Sequence, residues 1–241
     1  RKIFRIKEKI DEATITNRLN RFGMSQNEEL LKINSLASNK VHKKLQTSSD
    51  ILDIDSSVRI VYGKQEGATK GYNPKKRGAK SYHPLLCFLN STKECILSWL
   101  RPGSAYTSNN SSEFMKQAFS LLPSTIQDLL VRADSGFFDG QLLDVIESRP
   151  NTEYIIKVKL RNFMKILIGR DWETLSGEPG TQTTEFMYQA KGWKQARKFV
   201  IIKKLTSVES EGMLLKKENY DYFCYVTNIY DSPLLIHSLY G

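Results

Sequence analysis

Three aspartates lie at the ends of apolar stretches that are typical of β-strands. The segment "LDIDSS" places Asp53 and Asp55 two positions apart, and "LLVRADSGFF" ends a second apolar run on Asp134. Side chains two positions apart on a strand point to the same face of the sheet. A carboxylate on an otherwise apolar strand is unfavourable unless it is solvated, paired or bound to a metal. The three aspartates are therefore candidate metal ligands, and the simpler interpretations are an exposed acidic strand end and an Asp-Ser-Gly turn.

Metal chemistry would require the strands that end at Asp55 and Asp134 to be neighbours. In open α/β sheets, ligand sites lie beyond the carboxyl ends of the strands. Carboxylate and phosphate oxygens are the hard ligands that Mg²⁺ prefers. Two such ions about 4 Å apart can activate water or a 3′-hydroxyl group against a phosphodiester. If the strands are neighbours, the sequence predicts a two-metal site for phosphodiester chemistry, with Mg²⁺ or with Mn²⁺ as its substitute.

The pattern around these aspartates predicts a mixed α/β domain. Residues 1–50 are polar and helical in pattern, with Ser25 and Glu28 spaced as a capping box. Residues 67–83 are rich in glycine, proline and lysine, which indicates a loop. The remaining predicted elements are strands over 51–63, 84–90, 95–103, 128–134 and 153–160, and helices over 109–123 and 139–149.

The last third of the chain has a different pattern. Residues 161–228 carry alternating segments such as "KFVIIKKL" and "YDYFCYVTNI", which predict a β-rich insertion. Residues 229–241 are typical of the beginning of a helix. The predicted organisation is a helical N-terminal segment at 1–50, a core at 51–160, the insertion at 161–228 and the start of a further core helix at 229–241.

Composition favours a polyanionic partner. The chain has 241 residues, a formal net charge of +10 and a pI of about 9.4. A charge excess of this size favours binding to nucleic acid. The three cysteines and three histidines show no metal-binding spacing, so neither a zinc site nor a disulfide framework is expected, and an intracellular setting fits. No apolar run approaches the roughly 20 residues of a membrane span, and the basic, polar first residues do not resemble a signal peptide.

Several basic or aromatic residues are candidate contacts to DNA. Cations among small residues allow the backbone to approach phosphates and release counterions. Arg101, in "WLRPG", is interpreted as either a phosphate contact or a surface cap. Trp193, in "KGWKQARK", could stack on an extruded base, but packing in the core of the insertion is the more frequent role of such a residue. The strongest basic segment, "KGYNPKKRGAKSYH", is otherwise a solvated loop and contributes Lys70, Lys75, Lys76, Arg77 and Lys80.

Three longer motifs carry a family resemblance. They are "LDIDSSVRIVYGKQEGATKGYNPKKRGAKSYHPLLCFL", "WLRPGSAYTSNN" and "VRADSGFFDGQLLDVIE". Together they resemble the DDE transposases of bacterial insertion sequences, over about residues 50–241. The similar branch has a β-rich insertion, and its third acid lies in a Tyr-Arg-Glu-Lys signature. The resemblance implies an RNase H-like mixed sheet flanked by helices, with Asp55 as the first catalytic aspartate, Asp134 as the second and Asp53 as a less favoured ligand.

The resemblance places the third acid outside this sequence. Tyr240 fits the tyrosine of the signature, so its arginine, glutamate and lysine would follow Gly241. We therefore expect a chain that cannot cleave DNA by itself, although the parent protein could. The implied partners are double-stranded DNA from element ends and target, and a second copy in a homodimer on DNA, without a membrane. The implied location is the bacterial cytoplasm, in association with the nucleoid.

Two other functions remain open at this point. One is a nuclease of the same fold that cleaves DNA without joining it. The other is a DNA-binding remnant that has no catalytic activity. Both share the basic surface with a transposase and differ from it in the chemistry of the acidic site.

Overall fold

The computed structural model of the chain describes residues 11–71, 73, 76–167, 169–175, 177–209 and 217–241. Lys75, one of the predicted DNA contacts, lies outside the described residues, as do the first ten residues of the predicted helical segment. Parts of the predicted insertion, at 168, 176 and 210–216, also lie outside them.

The N-terminal region is helical, as predicted. Helix α1 spans Glu12–Leu19 and helix α2 spans Met24–Leu45. The predicted capping box is displaced by two residues, because Gln26 rather than Glu28 turns back to the helix start. Its Oε1 atom accepts the backbone N–H of Gly23 at 2.9 Å. In a capping box, the side chain three residues after the cap residue accepts the backbone N–H of that cap residue, and glutamine can do this as well as glutamate.

Among the described residues, nine strands form one mixed sheet. They are β1 Ser49–Ser56, β5 Leu85–Leu89, β6 Cys95–Trp99, β7 Asp128–Ala133, β8 Thr152–Lys157, β9 Glu173–Thr174, β10 Thr181–Tyr188, β11 Arg197–Glu209 and β12 Lys217–Thr227. Strands β1, β7 and β8 run parallel to one another, and β5 and β6 form an antiparallel hairpin on the other side of β1. The order of the strands across the sheet is β6-β5-β1-β7-β8-β12-β11-β10-β9.

Helices cover both faces of this sheet. Helices α3 (Ser111–Leu121) and α4 (Gly140–Glu147) pack on one face, where the core contains Leu52, Val131 and Phe114. Helix α6 (Pro233–Tyr240) packs on the other face, where Ile236 contacts a smaller core. A short helix, α5 (Met164–Leu167), follows β8. The mixed sheet flanked by helices confirms the predicted fold class.

The predicted insertion extends the same sheet instead of forming a separate layer. Strand β12 pairs antiparallel with β8, with Val226 opposite Ile156, and β11, β10 and β9 follow outward. The strand character of this region is therefore confirmed. Its boundaries as an insertion at 161–228, and those of the other three predicted segments, stay predictions.

A second, three-stranded sheet of order β2-β4-β3 lies between β1 and β5 in the chain. It consists of β2 (Arg59–Ile60), β3 (Thr69–Lys70) and β4 (Lys80–Tyr82). The prediction of a loop over 67–83 was therefore partly wrong, as was that of one strand over 51–63. The glycines and the proline of this segment indicated a loop. Thr69 nevertheless pairs with Ser81, because strand pairing depends on the backbone of the partner strand more than on the propensity of the residues themselves.

Within the part of the chain that the structure describes, no helix has both the length and the apolar character needed to cross a bilayer.

Candidate active site

Strands β1 and β7 are parallel neighbours, which brings two of the predicted aspartates together. Their register pairs Asp53 with Arg132 and Ile54 with Ala133. Asp55 and Asp134 are the next residues along the two strands, so their Cα atoms lie one strand spacing apart, about 4.8 Å. Both side chains are exposed. The condition set by the sequence, that the two strands be adjacent, is met.

Each of the two carboxylates is oriented by the turn that follows it. Asp55 Oδ1 accepts the backbone N–H of Ser56 at 2.7 Å. Asp134 Oδ1 accepts the N–H of Gly136 at 2.9 Å, at the start of a single 3-10 turn. Asp134 is thus a turn residue and a candidate ligand at once. The hydrogen bonds between described residues leave Oδ2 of each aspartate free for another ligand.

Asp53 lies on the same face but has a different partner. Arg132 Nε donates to Asp53 Oδ1 at 2.8 Å, and Arg132 Nη2 donates to Oδ2 at 3.0 Å. A bidentate pair of this kind occupies both carboxylate oxygens. The same guanidinium donates through Nη1 to the carbonyl of Leu239 at 2.8 Å. Asp53 is therefore tied to the end of helix α6 and is not free beside Asp55.

Helix α6 ends beside Asp55 and Asp134, the acidic pair. Tyr240 lines a cavity of about 270 Å³ together with Asp53, Asp55, Arg132 and Asp134. Its hydroxyl donates to the carbonyl of Ala133 at 3.4 Å. Burial raises the pKa of Tyr240, and the negative charge of Asp134 raises it further, while Arg132 acts in the opposite direction. The phenol therefore remains protonated at neutral pH beside the carboxylates.

The residues fit part of a metal site. Asp55 and Asp134 offer oxygen ligands of the kind that Mg²⁺ prefers. Within the described ranges, however, no set of three or more His, Cys, Asp or Glu side chains is arranged to hold a metal ion. The two aspartates therefore supply two ligands, and a complete site needs more.

Four of the predicted basic contacts that the structure describes belong to the three-stranded sheet β2-β4-β3, the small sheet. Lys70 ends β3 and Lys80 begins β4, while Lys76 and Arg77 lie in the turn between them, and all four are exposed. Lys76 Nζ lies 5.0 Å from the centre of the Tyr62 ring. The small sheet lies against the segment after β6. The backbone of Gly71 approaches the carbonyl of Gly103 so closely that a Cβ atom at position 71 would overlap it.

Arg101 is buried and bonded within the protein. Its side chain donates to four backbone carbonyls, those of His83, Tyr106, Thr107 and Asn109, and the residue is only 7% exposed. Of the two interpretations of Arg101, the structure shows neither a free phosphate contact nor a surface cap. Burial and internal hydrogen bonding account for Arg101 within the protein.

Trp193 packs in an aromatic cluster. Its ring lies 6.2 Å from that of Phe199 in a stacked arrangement and 5.6 Å from that of Phe138. The guanidinium of Arg197 lies 4.8 Å from the centre of the indole. Trp193 therefore packs against the core, which is the more frequent role of such a residue.

Sequence reasoning missed Arg132. The signal was present, because Arg132 stands two residues before Asp134 and therefore shares its strand face. An arginine on that face, on a strand next to "LDIDSS", is a natural partner for Asp53. What was missing was the register of the two strands.

Comparison with known proteins identifies the family of the chain. Residues 5–240 match the family model described as Transposase DDE domain group 1. Similar solved structures include the piggyBac transposase in a synaptic complex with hairpin DNA, with 13% identity, a TM-score of 0.47 and coverage of 77% of this chain and 34% of that one. The Mos1 transposase in a paired-end complex with the left transposon end has 15% identity, a TM-score of 0.31 and coverage of 62% of this chain and 44% of that one.

The chain spans less than half of either of these transposase chains. A search of curated proteins finds no match to it. The family model nevertheless covers nearly every residue, including both strands that end in the acidic pair. The chain is therefore a member of the Transposase DDE domain group 1 family.

Proposed function

We propose that this chain is the catalytic core of a DNA transposase of bacterial insertion sequences, which hydrolyses phosphodiesters at the element ends and joins the 3′-hydroxyl to target DNA. The observation that carries the proposal is the register of β1 and β7, which puts Asp55 and Asp134 side by side at the carboxyl ends of two parallel strands. The family supports the same assignment.

The residues of the site have separate roles. Asp55 and Asp134 would hold divalent metal, Mg²⁺ or Mn²⁺, which when bound would activate a water or hydroxyl nucleophile and stabilise charge on the phosphate. The N–H groups of Ser56 and Gly136 orient these carboxylates. Arg132 neutralises Asp53, which keeps a third negative charge out of the metal set.

The small sheet is the proposed DNA-binding surface. Lys70, Lys76, Arg77 and Lys80 are exposed there, and Lys75 belongs to the same segment of sequence. The sheet is joined to the segment after β6 by Gly71 and by a hydrogen bond from the Ser104 N–H to Thr69 Oγ1 at 2.9 Å. A DNA backbone bound there would lie on an element that is fixed to the catalytic sheet. In the cell, the partner would be chromosomal DNA in the nucleoid, bound by a homodimer.

We further propose that the third carboxylate is not among these 241 residues and that this chain does not cleave DNA without it. The support is the resemblance of Tyr240 to the first residue of the Tyr-Arg-Glu-Lys signature, together with its position beside Asp55 and Asp134.

The test is a Mn²⁺ titration in which electron paramagnetic resonance measures the concentration of the free ion. The chain should bind Mn²⁺, and Asp55→Asn or Asp134→Asn should weaken binding at least tenfold, because each removes a charged ligand. Asp128→Asn is the matched control, since Asp128 is exposed at the opposite end of β7. Equal affinity in all four proteins would refute the metal site.

A DNA-binding protein without catalysis is the second candidate. The observation in its favour is that the described residues supply only two carboxylates to the site. DNA binding that persists in a protein with no Mn²⁺ affinity would support it. Cleavage without joining, in a protein supplied with the third acid, would instead indicate a nuclease.

A further inference from the structure

The segment between β6 and α3 contacts both turns of the acidic pair through one residue, Thr107. Its Oγ1 atom lies 3.1 Å from Ser56 Oγ, a hydrogen bond to the residue after Asp55. On its other side, Thr107 packs against Gly136, where an added Cβ atom would lie only 2.9 Å from Thr107 Cγ2. Thr107 therefore fills the space between the two turns.

The contacts of Thr107 fall on the two residues that orient the carboxylates. Ser56 donates its backbone N–H to Asp55, and Gly136 donates its N–H to Asp134. A shift of either residue would move the N–H and the carboxylate that it holds. The hydroxyl of Thr107 fixes Ser56, and its methyl group fixes the position of Gly136.

Thr107 is itself held in place by buried Arg101. Nη1 of Arg101 donates to the carbonyls of Tyr106 at 3.0 Å, Thr107 at 3.4 Å and Asn109 at 2.8 Å. Nε of the same guanidinium donates to the carbonyl of His83 at 3.0 Å. Burial makes these bonds hard to exchange for water, so they stabilise the observed arrangement of the segment relative to the sheet.

We propose that Thr107 is a positioning residue that sets the separation and orientation of Asp55 and Asp134, and that Arg101 holds Thr107 for this purpose. The inference rests on the proposed function, because it concerns the geometry of the metal ligands. It gives Arg101 a role that its sequence motif did not suggest. Neither residue contacts the metal or the DNA in this assignment.

The first experiment removes the hydroxyl of Thr107 and leaves its shape. Thr107→Val should weaken Mn²⁺ affinity about fivefold, the size expected for loss of one hydrogen bond, whereas Thr107→Ser, which keeps the hydroxyl, should lose less. Thr206→Val is the matched control, since the exposed Thr206 donates to the carbonyl of Asn219 at 3.0 Å, far along β11. Wild-type affinity in Thr107→Val would overturn the proposal.

The second experiment tests the methyl contact and remains informative if Thr107→Val does not fold. Gly136→Ala should weaken Mn²⁺ affinity fivefold or more, because its Cβ would collide with Thr107 Cγ2. Adding Thr107→Ser removes that methyl group and should restore part of the affinity. The positioning role would be contradicted if Gly136→Ala did not weaken Mn²⁺ affinity. It would also be contradicted if adding Thr107→Ser to Gly136→Ala restored none of the lost affinity.

The two proposals fail in different ways. If Asp55→Asn and Asp134→Asn bind Mn²⁺ like the wild type, the metal site itself is refuted. If these variants lose affinity while Thr107→Val and Gly136→Ala keep it, the metal site stands and only the positioning role of Thr107 is refuted.

Discussion

At the scale of single residues, Asp53 and Asp55 show how position on a strand leaves function undecided. Both lie on one face of β1, and both are acidic. Asp53 is opposite Arg132 and is bound by it through both oxygens, whereas Asp55 lies one residue beyond the part of β1 that pairs with β7 and is exposed. The neighbouring strand, and not the residue type, separates a structural ion pair from a candidate ligand.

This difference predicts opposite effects of two matched substitutions. Asp53→Asn should lower the free energy of unfolding by about 1 kcal/mol, because Arg132 loses a charged, bidentate partner at a partly exposed position. It should leave Mn²⁺ affinity unchanged. Asp55→Asn should weaken Mn²⁺ binding and leave the free energy of unfolding unchanged. Chemical denaturation and Mn²⁺ titration of both variants provide the measurements.

A clear result would contradict this separation. If Asp53→Asn weakened Mn²⁺ binding as much as Asp55→Asn, then Asp53 would belong to the metal set and Arg132 would be a counterion that the metal displaces.

At the scale of elements, helix α4 is joined to β11 by a partly buried cluster of charges. Arg197 is 2% exposed and donates to Glu147 Oε1 at 2.7 Å and Oε2 at 2.8 Å, and to Asp144 Oδ1 at 2.6 Å. Tyr154 of β8 donates to Glu147 at 2.8 Å. The cluster therefore connects helix α4 with β8 and with β11, which lies in the outer part of the sheet.

The same cluster predicts instability in acid. Burial alone would raise the pKa of Glu147, but hydrogen bonds from Arg197 and Tyr154 outweigh it and hold that pKa below its usual value. The stabilisation is therefore complete above the pKa of the unfolded chain, about 4.3. It is lost as the pH falls below that value and through the lower pKa of the folded state.

Glu147→Gln tests this explanation. The substitution should cost about 2 kcal/mol at pH 7, because Arg197 stays buried with only Asp144 as a charged partner. The difference from the wild type should shrink as the pH falls below about 4.3 and then through the lower pKa of the folded state, because Glu147 is then protonated in both states of the wild type. Unfolding followed by circular dichroism across this range is the measurement, and a constant difference would contradict it.

At the scale of the whole molecule, the net charge of +10 is distributed over a protein whose candidate active site is acidic. A phosphate backbone would be repelled by Asp55 and Asp134 unless divalent cations and nearby lysines compensated for them. The exposed cations of the small sheet are the proposed source of that compensation, on an element that lies against the segment after β6.

The prediction at this scale concerns the salt dependence of DNA binding. Replacing Lys76, Arg77 and Lys80 by glutamine should weaken binding to duplex DNA and lower the slope of log K against log[salt] by roughly 0.9 for each phosphate that is no longer neutralised, about 2 to 3 in total. Lys116→Gln, on the exposed side of α3, is the control and should leave the slope unchanged. Fluorescence anisotropy at several salt concentrations gives both slopes. A triple variant with the wild-type slope would exclude the small sheet as the DNA-binding surface.

Much of the fold followed from local pattern. The strands that became β5, β6, β7 and β8 and the helices that became α3 and α4 were each predicted within a few residues, because apolar periodicity and turn residues act over short distances. The paired β3 and β4 were missed because their sequence is typical of a loop. Their pairing partner, and not their own propensity, makes them strands.

The residues that could do chemistry were identifiable from the sequence alone. Asp53 and Asp55 share a strand face, Asp134 ends another strand and the lysines cluster in one segment, since strand parity, turn chemistry and charge are local properties. The three-dimensional arrangement was needed to show that β1 lies beside β7, that Arg132 binds Asp53 and leaves Asp55 and Asp134 as the acidic pair, and that Arg101 holds Thr107 between the two turns. These outcomes depend on the order and register of strands far apart in the chain, which no local pattern encodes.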